Sequence, residues 1–188
     1  SSTFRCNQLY TTDRSQKITM MEDGILIGPA PYSAPAAYYV PNTARIHAVE
    51  ILKGPAAIKY GPHTVGGAIN FVTTPVPDSN TGTLDLSMGN DGYLKTQAEL
   101  GLRLNDQMGV LVDALDYRSD GFKELSNGGG TGFARNDFNI KFKWRPASRL
   151  PSILTMKVGF AAEDSDETYL GLADNDFAAN PNQRYAAS

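Results

Sequence analysis

Residues 93–104 run YLKTQAELGLRL. Leu94, Thr96, Ala98, Leu100, Leu102 and Leu104 fall on one side of an extended chain, and Tyr93, Lys95, Gln97, Glu99, Gly101 and Arg103 on the other. Successive side chains of a strand point to opposite faces, so this stretch is a strand with one apolar and one polar face. The period returns in residues 135–145, where Phe138, Ile140, Phe142 and Trp144 oppose Asp137, Asn139, Lys141, Lys143 and Arg145. It returns again in residues 153–163, with Leu154, Met156, Val158, Phe160 and Ala162 against Thr155, Lys157, Gly159 and Glu163. Residues 83–89 repeat it briefly through Leu84, Leu86 and Met88. Residues 108–117 carry it weakly, because Val110, Val112, Leu111 and Leu115 place apolar groups on both faces. About five antiparallel strands are therefore expected after residue 78.

Two architectures use such strands. A soluble sandwich buries the apolar face and wets the other, and period alone favours it. A transmembrane barrel turns the apolar face to lipid and needs only about 9 to 11 residues per crossing. A mean hydropathy of −0.31, with no apolar run long enough for a spanning helix, is compatible with the barrel. The connections expected between the strands tend to alternate, shorter turns at one end and longer loops at the other, an asymmetry that barrels share. In a barrel, Lys95 and Arg103 would cost about 2–4 kcal/mol each facing lipid at the midplane, so the charged face must line a wet lumen.

Composition narrows the function. The 188 residues carry 17 Lys plus Arg and 20 Asp plus Glu, a net charge of −3, which does not suit a surface that neutralises many phosphates. Nucleic acid is not an expected partner. One cysteine, Cys6, excludes an intrachain disulfide framework and multi-cysteine zinc modules. Ser, His and Asp occur without a GxSxG elbow, so no hydrolase is supported and no enzyme is expected. The amino terminus lacks a secretory leader pattern and the carboxyl terminus stops in loop chemistry, so the chain is expected to be part of a longer one.

Upstream of residue 78 the texture differs. Strands are expected at residues 17–22, 47–53 and 67–74, with a turn at Asp23-Gly24. A short helix is expected from Pro55 to Gly61, and residues 28–41 form a loop rich in proline and tyrosine. TTPVPDSNTG concentrates breakers, which sets domains at 1–77 and 78–188. The first domain ends in RIHAVEILKGPAAIKYGPHTVGGAINFVTTPVP, residues 45–77. Its glycines are not a nucleotide loop, since none precedes Lys-Ser or Lys-Thr and no GxGxxG opens a helix.

This string resembles the plug of TonB-dependent outer-membrane receptors, in which VEILKGP leads to a short helix ending in YG and then to GPxTxGGAINFVT. The likeness runs through residues 17–77, and DETYLGLADNDFAANPNQRYAAS, residues 166–188, is similar to an early extracellular loop of the ferric-dicitrate receptor group. The resemblance implies an α+β plug, present in part, followed by antiparallel transmembrane β-barrel strands of a barrel of about 22. It implies a Gram-negative outer-membrane receptor for TonB-dependent uptake of a ferric siderophore or ferric citrate-like chelate. The alternatives are the same architecture carrying cobalamin, another metal chelate or a saccharide, and a secreted soluble β-rich binding module. Implied partners are the TonB energy-transducing complex, reached through a segment outside this chain, the ferric chelate and outer-membrane lipid. Iron enters only within the transported chelate, so no cofactor is implied.

The same resemblance implies ligand contacts at Tyr32, Ser33, His63 and Thr64 on apical plug loops. His63 stands where the ferric-citrate group often presents Gln. Plug-to-wall contacts are implied at Arg45, Glu50 and Lys53. Each has a plainer alternative: Tyr32 and Ser33 packed against prolines, the three charges simply solvated. His47 and His63 are sixteen residues apart without a companion ligand, so no metal site is expected. Asp164, Asp166, Glu167, Asp174 and Asp176 lack the Gly and Glu that a calcium-wrapping loop requires and read as a solvated acidic loop. Gly61, Gly66 and Gly67 are expected to serve turns and close backbone approach.

Overall fold

The computed structural model describes residues 18–27, 41–54, 59–61, 66–125, 128–166 and 171–185. The chain divides into two compact units between Pro75 and Val76. Among the described residues no helix is long and apolar enough to cross a membrane.

The first unit is a four-stranded sheet in the order β2-β1-β4-β3, from β1 (Ile18–Glu22), β2 (Ile25–Leu26), β3 (Ile46–Leu52) and β4 (Gly67–Thr73). Asp23 and Gly24 join β1 to β2 with φ of 51° and 81°, the double left-handed backbone of a two-residue hairpin turn that Asp-Gly favours. β1 runs parallel to β4, Ile18 opposite Gly67, and β3 runs antiparallel to β4 with a register shift between Ile46 and Ala48. A parallel pair needs a crossover, which the long segment between β1 and β4 supplies. The centre is small: Met21 and Ala68 are buried, with Leu52 and Tyr60 against them. The helix expected between Pro55 and Gly61 lies mostly outside the described residues.

The second unit is a five-stranded antiparallel meander in the order β10-β9-β7-β6-β5, from β5 (Thr81–Met88), β6 (Leu94–Arg103), β7 (Met108–Ser119), β9 (Phe133–Trp144) and β10 (Leu154–Ser165). Its five strands coincide with the five stretches of period two. The connections 104–107 and 145–153 close one end; 89–93, 120–132 and the segment after β10 occupy the other. At this second end β8 (Glu124–Leu125) pairs in parallel with β11 (Gln183–Arg184), beside α1 (Asp174–Ala179).

Register brings the apolar residues into rows across the strands. Leu100, Val112, Ile140 and Val158 share one row, and Leu84, Ala98, Ala114, Phe138 and Phe160 the next. The opposite face aligns Glu99, Asp113 and Asn139, then Gln97, Leu115 and Asp137. A one-residue slip would exchange the faces, so the alternation fixes the pairing.

Candidate functional site

Burial in the meander is inside out. On the polar face Asp137 is 3 % exposed, Asp113 6 %, Asn139 7 % and Lys141 8 %, whereas on the apolar face Leu84 is 66 % exposed, Phe160 67 % and Val158 69 %. A soluble sandwich buries the face that this sheet exposes. A lipid-facing wall needs the observed arrangement, since apolar side chains lose nothing in hydrocarbon while charges require a wet or paired interior.

Two of the buried carboxylates are hydrogen-bonded on this face, while Asn139 Nδ2 is buried without a hydrogen-bond partner. Gln97 Nε2 donates to Asp113 Oδ2 at 3.3 Å, and Arg135 Nε donates to Asp137 Oδ2 at 2.8 Å while its NH1 reaches Glu163 at 3.1 Å. Lys95 stands 3.4 Å from Asp85. Near the long-loop end Tyr117 meets Tyr93 at 5.6 Å and Phe133 at 4.7 Å between ring centroids, both edge to face. The three rings are diagonal neighbours on the polar face, where such pairs reinforce the sheet.

The loops beyond them are tied together. Asp120 N donates to Asp91 O at 2.8 Å and Asp166 N to Gly132 O at 2.9 Å. Lys123 Nζ donates to Pro181 O at 2.7 Å, Glu124 N to Asn182 O at 2.8 Å, and the Tyr185 hydroxyl meets Asp176. Of the acidic residues expected in a solvated loop, Asp164 thus lies in β10, Asp174 and Asp176 lie in α1, and Glu167 is outside the described residues. No cluster of three potential metal ligands occurs among the described residues.

At the short-turn end the chain entering β5 is seated on the polar face. Lys143 Nζ donates to Val76 O at 2.7 Å and to Asp78 Oδ1 at 2.8 Å, and Arg145 NH1 reaches the same carboxylate at 3.1 Å. The Lys143 hydrogen bond, then the Arg145 and Lys143 charges, hold the Asp78 carboxyl below its ordinary range. Gly101 and Gly109 leave the space: a Cβ at Gly101 would stand 2.9 Å from Pro77 Cδ, and one at Gly109 2.9 Å from Val76 Cγ1. A cavity of about 160 Å³ opens beside this seat between Pro77, Asp78, Arg103, Asp106, Lys143 and Arg145. The sequence signals its parts only as lumen-face cations and a loop aspartate.

In the first unit Arg45 and Glu22 form an ion pair at 2.8 Å, with side chains 5 % and 7 % exposed. Glu50 accepts from Asn70 Nδ2 at 2.8 Å, while Asn70 Oδ1 accepts from Gly24 N at 2.9 Å. Asp23 accepts from Thr73 N at 2.8 Å and Thr73 Oγ1 at 2.7 Å. These bonds join β1, β3 and β4 around the hairpin. Lys53 lies exposed just after β3, and Gly67 approaches Leu52 O so closely that a Cβ there would stand 2.6 Å from it. Tyr32, Ser33, His63 and Thr64 lie outside the described residues.

Residues 7–68 match the family model "TonB-dependent Receptor Plug Domain". That segment is similar to the plug of TonB-dependent outer-membrane receptors. The chain is 27 % identical over 118 residues to the vitamin B12 transporter BtuB of Vibrio vulnificus, covering 62 % of this chain and 19 % of that one. It is 30 % identical over 80 residues to the probable TonB-dependent siderophore receptor PirA of Acinetobacter baumannii, covering 43 % and 10 %. The fold is that of the unliganded ferric citrate transporter FecA, with a TM-score of 0.68 at 21 % identity, covering 91 % of this chain and 26 % of FecA. The chain thus spans about a quarter or less of each, and it holds a plug-like sheet followed, among the described residues, by an open five-stranded antiparallel sheet.

Proposed function

We propose that this chain is part of a TonB-dependent receptor that imports a ferric siderophore or ferric citrate-like chelate across the outer membrane, without covalent chemistry and without a resident cofactor. The observation that carries the reading is the wall's inversion, buried Asp113, Asp137, Asn139 and Lys141 behind exposed Val158 and Phe160, directly after a plug sheet. The chelate settles on apical plug loops, with Tyr32, Ser33, His63 and Thr64 as donors and packing groups. Imidazole and hydroxyl groups suit carboxylate, hydroxamate or catecholate oxygens. The TonB complex then pulls the plug until a passage opens along the polar wall. Within the plug sheet, Arg45 fixes the hairpin through Glu22.

Ferric cargo is supported by the likeness to PirA and FecA, proteins named for a siderophore and for ferric citrate. A second reading, cobalamin import, draws on the match to BtuB, which covers 62 % of this chain against 43 % for PirA. Uptake of radiolabelled ferric citrate, a ferric hydroxamate and cobalamin by receptor-null cells carrying the receptor, with TonB intact or deleted, tests both. TonB-dependent iron uptake is expected. Cobalamin uptake alone would select the second reading, and uptake that persists without TonB would overturn both.

A further inference from the structure

We propose that residues 76–78 form a fixed seat for the plug's exit, closed throughout the transport cycle, so that only the chain before Val76 moves when TonB pulls. This inference rests on the proposed import function. Four contacts hold the seat. Val76 is buried at 7 % exposure against a β7 backbone that carries only Gly109 at that point, and Pro77 fills the space left by Gly101 on β6. Lys143 on β9, its side chain 14 % exposed, donates to both Val76 O and Asp78. Arg145 closes on the same carboxylate from the end of β9, where its own backbone N–H is held by Gln107 O at 2.7 Å. Charge-assisted bonds of this kind are the strong ones.

The consequence is mechanical. Pairing of β5 begins at Thr81 and Asn80 Oδ1 accepts from Arg103 N at 2.8 Å, so without the seat residues 76–79 would be slack. Four extended residues reach about 14 Å. A pull on the plug would first take up that slack. With the seat closed, the load passes at Val76 into three neighbouring barrel strands, and the plug sheet rearranges against a stationary end.

The test uses the receptor in cells with Cys6→Ser and a cysteine pair, Val76→Cys with Gly109→Cys. The closeness of the Gly109 Cβ position to Val76 places the pair within bridging reach. TonB-dependent uptake is expected to be the same oxidised and reduced. Uptake lost on oxidation and restored by reductant would show that the seat must open, and would overturn the proposal. A second variant, Lys143→Met, keeps the test independent of the bridge: cargo binding and surface abundance are expected to stay at the parent level while uptake falls several-fold. Unchanged uptake in Lys143→Met would overturn the seat's role in bearing load. The unmodified receptor separates the two readings, because its failure to import any of the cargoes above would count against the import function itself.

Discussion

Ile140 occupies the middle of β9, a strand flanked on both sides by β7 and β10. Its row contains Leu100, Val112 and Val158, with apolar rows above and below through Phe138 and Phe142. Four residues toward the long-loop end the same face becomes polar at Asn136, beside Asp116 and Thr96. Four residues span about 14 Å of strand, which at a tilt near 40° is roughly 10 Å of depth in an apolar band of about 25 Å. Ile140 therefore lies near the bilayer midplane and Asn136 near its boundary. Ile140→Arg is expected to destabilise the receptor by about 2–4 kcal/mol and Asn136→Arg by about 0–1 kcal/mol. Lys141→Arg, one residue on and facing the opposite side, is expected to be close to neutral. Equilibrium unfolding in guanidinium, with the receptor reconstituted in lipid vesicles, reads all three. Equal costs at 136 and 140, or a larger one at 136, would refute the assigned depth.

His63→Ala and Tyr32→Ala are each expected to weaken equilibrium binding of the native chelate about tenfold or more, the usual consequence of losing about 1.5–3 kcal/mol from a hydrogen bond to a charged ligand. Surface abundance should not change; unchanged affinity in both would remove the assigned plug contacts. Glu22→Leu leaves Arg45 as a buried charge without its 2.8 Å partner and is expected to cost the plug sheet about 3–5 kcal/mol. Limited proteolysis of the assembled receptor should show the loss, with protection largely restored by adding Arg45→Met. Asp78 titrates below its ordinary range because Lys143 and Arg145 favour the carboxylate. Its contribution is therefore complete above the unfolded carboxyl pKa of about 3.9 and is lost only as pH falls through the lower folded value. A thiol at Val76→Cys should accordingly stay protected from aqueous reagent at pH 5 to 7 and become accessible in more acid solution, whereas in Asp78→Asn its protection should be weaker at every pH.

The wall strands were legible because one property, the period of two, is local and repeated. β6 and β10 begin and end within about two residues of the stretches that show it. The weak alternation of β7 has a structural cause: Leu111 and Leu115 are buried on the polar face, so that face is not polar along its whole length. The Asp-Gly turn was equally plain, since few other dipeptides tolerate two successive positive φ values. The β8–β11 pair was not legible. It joins two residues to two others across some sixty positions, too short for any period. Nor was α1, whose N-cap Ala173 supplies no side-chain cap and whose acidic composition resembles loop. The seat escaped for a related reason, because the partner of Asp78 lies 65 residues away and only the folded sheet brings Lys143 to it.

In the proposed receptor the apolar face meets lipid and the polar face meets water. Single cysteines in the membrane-embedded receptor, probed with a lipid-phase reagent and an aqueous one, test it most directly. Positions 94, 100, 138, 142, 158 and 160 are expected to react with the lipid-phase probe, and positions 97, 141 and 157 with the aqueous one, alternating residue by residue along β9. The reverse pattern, or reactivity that does not alternate, would contradict the assignment of these strands as a barrel wall.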